Sequence, residues 1–284
     1  IGHFRAFLKM PGFDPDLCCG YGRRLFHTVV DMVTQEAEFT EGPSGVARFT
    51  GLPAGREVFV RASFEGLDSA RTAGEPHDPA GVSLFLIDLA DGGPTGLELH
   101  KLRTIDDRQA ADITFTDVRL PADAILPGAT TFAATRALLC DSRMWVGWQG
   151  VGAQMGVLDV LRSYALRREQ FGRPLAAFQL IQAQIAEVAG NLAASAGMML
   201  QVDALRQEGR MEMMHAAMAK ATSTRLARSS AALARDALGG NGLLTEHEIA
   251  KIMGDVEAIY SYEGSYGMNT LIVGRALTGV SAFV

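Results

Sequence analysis

The sequence predicts an α+β fold: an antiparallel β domain over residues 45–130, then a C-terminal helical bundle over 131–284. Two observations predict it. Residues 45–128 carry short runs rich in β-branched and aromatic residues, bounded by Gly, Pro and Asp, with no helical pattern between them. From about Thr131 the apolar spacing becomes helical, and consecutive helices with short joins make a bundle. Residues 1–44 remain unassigned.

The strands are read at Glu57–Ala62, Val82–Ile87 and Ala111–Phe115, and the polar stretch Gly66–Pro79 reads as a surface loop. The strongest helix runs from Ala176 to Glu208. Phe178, Ile181, Ile185, Val188, Leu192 and Met199 recur at steps of 3, 4, 3, 4 and 7, which puts them on one stripe. A helix over Met211–Leu238 is rich in alanine, so a neighbour can approach closely, and Gly239 suits a left-handed C-terminal cap. Thr245 and Glu248 have the spacing of a capping box and open another helix. Arg136–Arg167 forms a further helix in which Gly152 and Gly156 suit tight packing, and Met268–Leu277 forms the last.

Bulk properties narrow the function. The 284-residue chain is 48% hydrophobic and 20% charged, an ordinary globular composition for one large domain or two smaller ones. A net charge of −6 disfavours nucleic acid as a partner. No long uncharged apolar stretch suggests a membrane span, and Ile1–Arg5 carries no secretory pattern. Cys18, Cys19 and Cys140 make no disulfide framework, so a reducing, cytoplasmic setting is expected. His247-Glu248 opens like a zinc-protease helix, but Lys251 stands where its second His belongs, and no metal site is expected. A first residue other than Met points to a processed chain or a piece of a longer one.

Three motifs can carry chemistry. Arg167-Arg168-Glu169-Gln170-Phe171-Gly172-Arg173-Pro174 joins two helices, with Gly172 permitting the turn. Its clustered guanidinium groups suit a phosphate or pyrophosphate, or are simply a solvated helix end. Leu238-Gly239-Gly240-Asn241-Gly242 could bring amides to an anion, or be only a flexible turn. Tyr262-Glu263-Gly264-Ser265 places a carboxylate between helices, where it is a general base in a dry site and a solvated surface group otherwise.

Taken together, Arg-x-Gln-Phe-Gly, Phe178-Gln179-x-x-Gln182, Leu-Gly-Gly-x-Gly, Tyr-Glu-Gly-Ser and Gly274-Arg275-Ala276-Leu277-Thr278-Gly279 resemble the acyl-CoA dehydrogenase family. The closing stretch looks most like the glutaryl-CoA dehydrogenase branch. The resemblance is strong over roughly 138–284 and weaker back to Gly45. There, Gly81–Leu86 and Phe115–Pro121 look like strands of the family's middle β domain, and Arg48-Phe49-Thr50-Gly51 like the strand end that sets a Thr against the flavin. The family usually has Trp where Arg48 stands. Its N-terminal helical domain and its Thr-Glu-Pro-x-x-Gly-Ser-Asp motif have no counterpart in residues 1–40.

The resemblance implies α,β-dehydrogenation of an acyl-CoA thioester on FAD. Glu263 would take the α-proton, hydrogen bonds would stabilise the thioester enolate, and the flavin would receive the β-hydrogen. It implies that Arg168, Gln170, Phe171, Gln179, Gly239 and Gly240 bind FAD, partly in a neighbouring subunit, and that Ser265 and Thr50 also contact it. It further implies an electron-transferring flavoprotein as partner and a homo-oligomer, a dimer of dimers. Two alternatives stay open: a non-catalytic or half-site subunit, and a flavin oxidase or monooxygenase on the same fold.

Overall fold

The computed structural model describes residues 37–39, 47–50, 58–61, 84–87, 89, 93–106, 109–121, 124–129 and 131–282. The stretch Gly66–Pro79 and residues 1–36 lie outside them.

The β part is antiparallel, as expected. Strands β1 (Ala37–Phe39), β2 (Ala47–Thr50), β5 (Leu97–Arg103) and β6 (Gln109–Phe115) form one sheet in the order β1-β2-β6-β5. Strands β3 (Val58–Arg61) and β4 (Leu84–Ile87) pair separately. On β6 the alternate residues Ala111 and Ile113 are buried, the period-two burial of a strand with one covered face. Sequence reading missed β1, which precedes residue 45, and β5. The β5 residues Leu97 to His100 are half-buried or exposed, so the strand's apolar alternation is weak.

The bundle holds five α-helices: α1 (Phe132–Arg167), α2 (Gln179–Gln207), α3 (Met213–Ala237), α4 (Ile249–Ser261) and α5 (Tyr266–Thr278). The alanine-rich α3 is its axis, packed against each of the other four. The small side chains Ala216, Ala217, Ala219, Ala221, Ala227, Ala231 and Ala234 are all buried and let four neighbours close in. The larger residues come from those neighbours. Val157 and Leu161 of α1, Val188 of α2, and Ile249, Val256 and Ile259 of α4 form one cluster against α3. Each such side chain contributes roughly 1.5–3 kcal/mol before conformational entropy is subtracted.

Several local expectations change. The capping box at Thr245 does not form. After α3, Gly239 is left-handed (φ 59°), as its position predicted, but the chain continues as a 3₁₀ turn over Gly239–Leu243. His247 N–H then bonds Leu244 O at 3.1 Å, which delays α4 to Ile249. Helix α2 starts at Gln179, behind a 3₁₀ turn at Leu175–Ala177. Of its predicted stripe, Val188, Leu192 and Met199 are buried, whereas Phe178, Ile181 and Ile185 are half-buried because the first turns of α2 stand at the edge of the bundle. Gly156 is not a tight contact on α1: an added methyl would meet only Ile252 at 3.5 Å. At Gly150, by contrast, a neighbouring backbone comes close: a Cβ would lie 3.0 Å from the backbone carbon of Ser223 and 3.1 Å from its oxygen.

Among the described residues, the turn between β5 and β6 meets α4. A Cβ on Gly254 would stand 2.7 Å from Ile105 O in the β5–β6 turn. Lys251 Nζ donates to Asp106 O at 3.0 Å and pairs with Asp255 one turn along α4.

The same substitution should have opposite effects at two glycines. Gly150→Ala gains helix propensity but forces α1 off α3, so stability should fall by about 1 kcal/mol net. Gly197→Ala, where a Cβ meets nothing within 4 Å, should gain up to about 1 kcal/mol. Urea midpoints at constant slope check both.

Candidate active site

Glu263 lies in the short turn between α4 and α5. Its side chain is buried, and its backbone is left-handed, with φ of 56°. That conformation costs a non-glycine residue on the order of 1–2 kcal/mol, so the surroundings must hold it there. They do so with donors from three helices. Arg143 of α1 gives its Nε–H to Glu263 O at 3.1 Å. Lys220 of α3 gives Nζ–H to Tyr260 O at 2.8 Å and Gly264 O at 2.7 Å. Asn269 of α5 gives Nδ2–H to Gly264 O at 2.7 Å, Ser265 O at 3.1 Å and Glu263 O at 3.3 Å. All three side chains are buried.

The carboxylate has its own anchor. Ser142 Oγ donates to Glu263 Oε2 at 2.7 Å within the protein interior. One residue earlier in the turn, Tyr262 Oη donates to Gln149 Oε1 at 2.5 Å. Ser142 and Gln149 lie seven residues apart, two turns along one stripe of α1. That stripe faces the turn and sets the direction of the Glu263 side chain.

Apart from Ser265, which closes the same turn, the other candidate residues sit elsewhere. Arg168 follows α1 directly, and Glu169–Gln170 pairs with Arg173–Pro174 as a small β-hairpin (β7, β8) that the sequence reading had not foreseen. Phe171 (φ 53°) and Gly172 (φ 74°) form its two-residue turn, both left-handed, the geometry that matches strand twist. Phe171 is 91% exposed and stands edge-on to Phe178, whose ring carries the Arg173 guanidinium at 4.2 Å. Arg168, Gln170 and Gln179 are exposed, as are Gly239 and Gly240. Tyr164 joins these pieces: its Oη accepts from Asn241 Nδ2 at 2.8 Å and its ring meets His247 edge-on. The hairpin and the glycine turn therefore share one end of the bundle. Ser265 Oγ caps α5 by accepting Met268 N–H at 3.3 Å. Thr50 ends β2, opposite Ala110. The structure thus gathers Ser142, Arg143, Lys220 and Asn269 around Glu263, and none of these was singled out from sequence. Two of them had a signal. Arg143 and Lys220 are charged residues at helix positions whose neighbours one turn away, Leu139 and Ala216, are core.

A family model for the acyl-CoA dehydrogenase C-terminal domain matches residues 132–278. The chain belongs to this family. A probable acyl-CoA dehydrogenase of Mycobacterium tuberculosis is 28% identical over 200 residues, covering 69% of this chain and 51% of that protein. A caffeyl-CoA reductase–Etf complex subunit of Acetobacterium woodii is 28% identical over 199 residues, covering 69% and 52%. Among solved structures, a glutaryl-CoA dehydrogenase of Mycobacterium smegmatis superposes with a TM-score of 0.70 at 25% identity, covering 88% of this chain and 62% of that one. The chain spans about half the length of the relatives it matches. Within the acyl-CoA dehydrogenase fold, the helical bundle is the part the family model covers. Among the described residues there is no group of His, Cys, Asp and Glu that could hold a metal, and no helix long and apolar enough to cross a membrane.

Ser142→Ala should lower stability by about 1–3 kcal/mol, because a buried carboxylate loses a donor. Ser142→Thr, which keeps the hydroxyl, should recover most of it. Urea unfolding of the pair checks this.

Proposed function

We propose that this chain carries the catalytic base and part of the flavin site for α,β-dehydrogenation of an acyl-CoA thioester. One observation carries the reading: a buried carboxylate, Glu263, on a left-handed turn held by three buried donors. A strained turn with this much support is characteristic of a functional position. Glu263 takes the α-proton of the thioester, and its backbone amide hydrogen-bonds the thioester oxygen as negative charge develops there. Ser142 holds the carboxylate in line, and the helices around it keep out water. FAD, when bound, supplies the acceptor for the β-hydrogen that leaves as hydride, so the product gains a Cα=Cβ bond. Electrons then pass to an electron-transferring flavoprotein. The Etf complex that includes the Acetobacterium relative supports that choice of partner.

The donor set at the far end of the bundle fits a dinucleotide. Arg168 offers a planar guanidinium to a pyrophosphate, Phe171 an exposed ring, and Gly239–Gly240 an exposed backbone. Gln170 and Gln179 add amide donors beside them. Thr50 and Ser265 would meet the flavin from the sheet and the α5 cap. Arg168 and its neighbours on the hairpin cannot serve the flavin beside their own Glu263. Ser142, which touches Glu263, and Arg168 are 26 positions apart along α1, or about 39 Å. The site is therefore shared between copies, with Arg168 acting in a neighbouring subunit, as in a dimer of dimers.

Glu263→Gln keeps the shape of the side chain and removes the base. Turnover of the flavin-loaded protein with an artificial electron acceptor should fall by roughly 10²–10⁴ while acyl-CoA binding, followed by titration of the flavin spectrum, survives. Near-normal turnover would remove Glu263 from the chemistry. Arg168→Ala should lower flavin content on purification more than it lowers apo-protein stability. A normal flavin-to-protein absorbance ratio would return Arg168 to the class of solvated surface charges.

A further inference from the structure

We propose that Lys220 is a positioning residue for Glu263: its buried ammonium group ties the end of α4 to the start of α5 across the turn that aims the carboxylate. This inference rests on the reading of Glu263 as the base.

The sequence makes Lys220 conspicuous. It follows Ala216, Ala217 and Ala219 on the core side of α3, and its side chain is fully buried. Burying a lysine is unfavourable unless its charge and its N–H groups find partners. Nζ finds two backbone oxygens, Tyr260 O at 2.8 Å and Gly264 O at 2.7 Å. Tyr260 belongs to the last turn of α4, where carbonyls lack intrahelical donors and carry the negative end of the helix dipole. A cation is the favoured partner there. Gly264 is the residue after Glu263, itself left-handed at φ 79°. Its peptide oxygen must face α3 for the turn to hold its shape.

Glu263 lies between these two anchors. With Tyr260 and Gly264 both fixed on one nitrogen atom, the intervening peptides have little room to rotate. Arg143 and Asn269 reinforce the same turn from other sides, at the carbonyls of Glu263, Gly264 and Ser265. Lys220 links helix end to turn through a single nitrogen atom. Rotation of the peptides between Tyr260 and Gly264 would swing both the Glu263 carboxylate and the Glu263 amide assigned to the thioester oxygen. Misplacement of a reacting group by about 1 Å can cost on the order of 100-fold in rate.

The test uses Lys220→Met, which keeps the apolar stem and removes the donors, with Lys220→Gln as a second variant that retains an N–H donor if the first does not fold. Two quantities are read: amide hydrogen exchange along the chain, and solvent exchange of the α-protons of butyryl-CoA by the flavin-loaded protein in D₂O. Positioning predicts at least tenfold faster amide exchange confined to residues 260–265. It also predicts 10- to 100-fold slower α-proton exchange with little change in KM, and no further loss when Lys220→Met is added to Glu263→Gln. A rise in amide exchange spread evenly over α3, α4 and α5, or no rise at all, overturns the proposal. So does a full additional loss in the double variant. If Glu263→Gln alone keeps normal α-proton exchange, the assignment of the base fails by itself. The amide-exchange arm then still decides whether Lys220 holds the turn.

Discussion

A turn that buries its own carbonyl oxygens must be given donors, and the turn from Tyr262 to Ser265 sits between three helices. That requirement organises the centre of the bundle. Arg143, Lys220 and Asn269 come from α1, α3 and α5, and each spends a buried polar group on the backbone of this one segment. A buried polar group left unmatched costs about 1–3 kcal/mol, so moving any of these helices out of register would strand several groups at once. The turn therefore specifies the mutual position of the helices as much as the helices specify the turn. The left-handed backbone of Glu263 persists because it is over-determined in this way.

The same logic explains the character of α3. A helix that contacts four others cannot carry large side chains on every face, so its core positions are alanine, serine and threonine. Small residues bring backbones close, as at Gly150 opposite Ser223. They also leave room for the one long side chain, Lys220, to run through the interior to the turn. Apolar bulk comes from α1, α2 and α4 instead, where Val157, Leu161, Val188 and Ile259 close the core around that axis.

How much of this was legible in the sequence depended on the range of the interaction. Helix periodicity, the left-handed Gly239 and the antiparallel sheet follow from local patterns, and they were readable. The hairpin after Arg168 was not, since two residues per strand give no period to detect. Nor was the delayed start of α4. Thr245 and Glu248 have the right spacing for a capping box, but the chain turns again at Leu244–His247 and the helix begins only at Ile249. At the candidate site the motif around Glu263 was visible, whereas its partners are not neighbours in sequence. Ser142 lies 121 residues away and Lys220 44 residues from Gly264. A lysine at a core position of a helix is a usable hint of such a partner, because burial demands one. A buried serine gives no hint at all.

The length of α1 constrains the assembly that the proposed function needs. Its 36 residues place the Glu263 turn near one end of the bundle and the Arg168 hairpin at the other, too far apart for one dinucleotide to touch both. If both are used, each must be used by a different copy. A two-fold axis that carries one copy's hairpin to another's Glu263 turn necessarily carries the second hairpin back to the first turn, so complete sites arise in pairs. The exposed apolar groups agree with that geometry. Phe171 and Leu180, at 91% and 81% exposure, lie on the hairpin tip and the first turn of α2, close to Arg168 in sequence. An isolated bundle leaves this end open to water. A second copy would convert the same surface into the wall of a binding site, and the charge on Arg168 and Arg173 would then face a ligand rather than solvent.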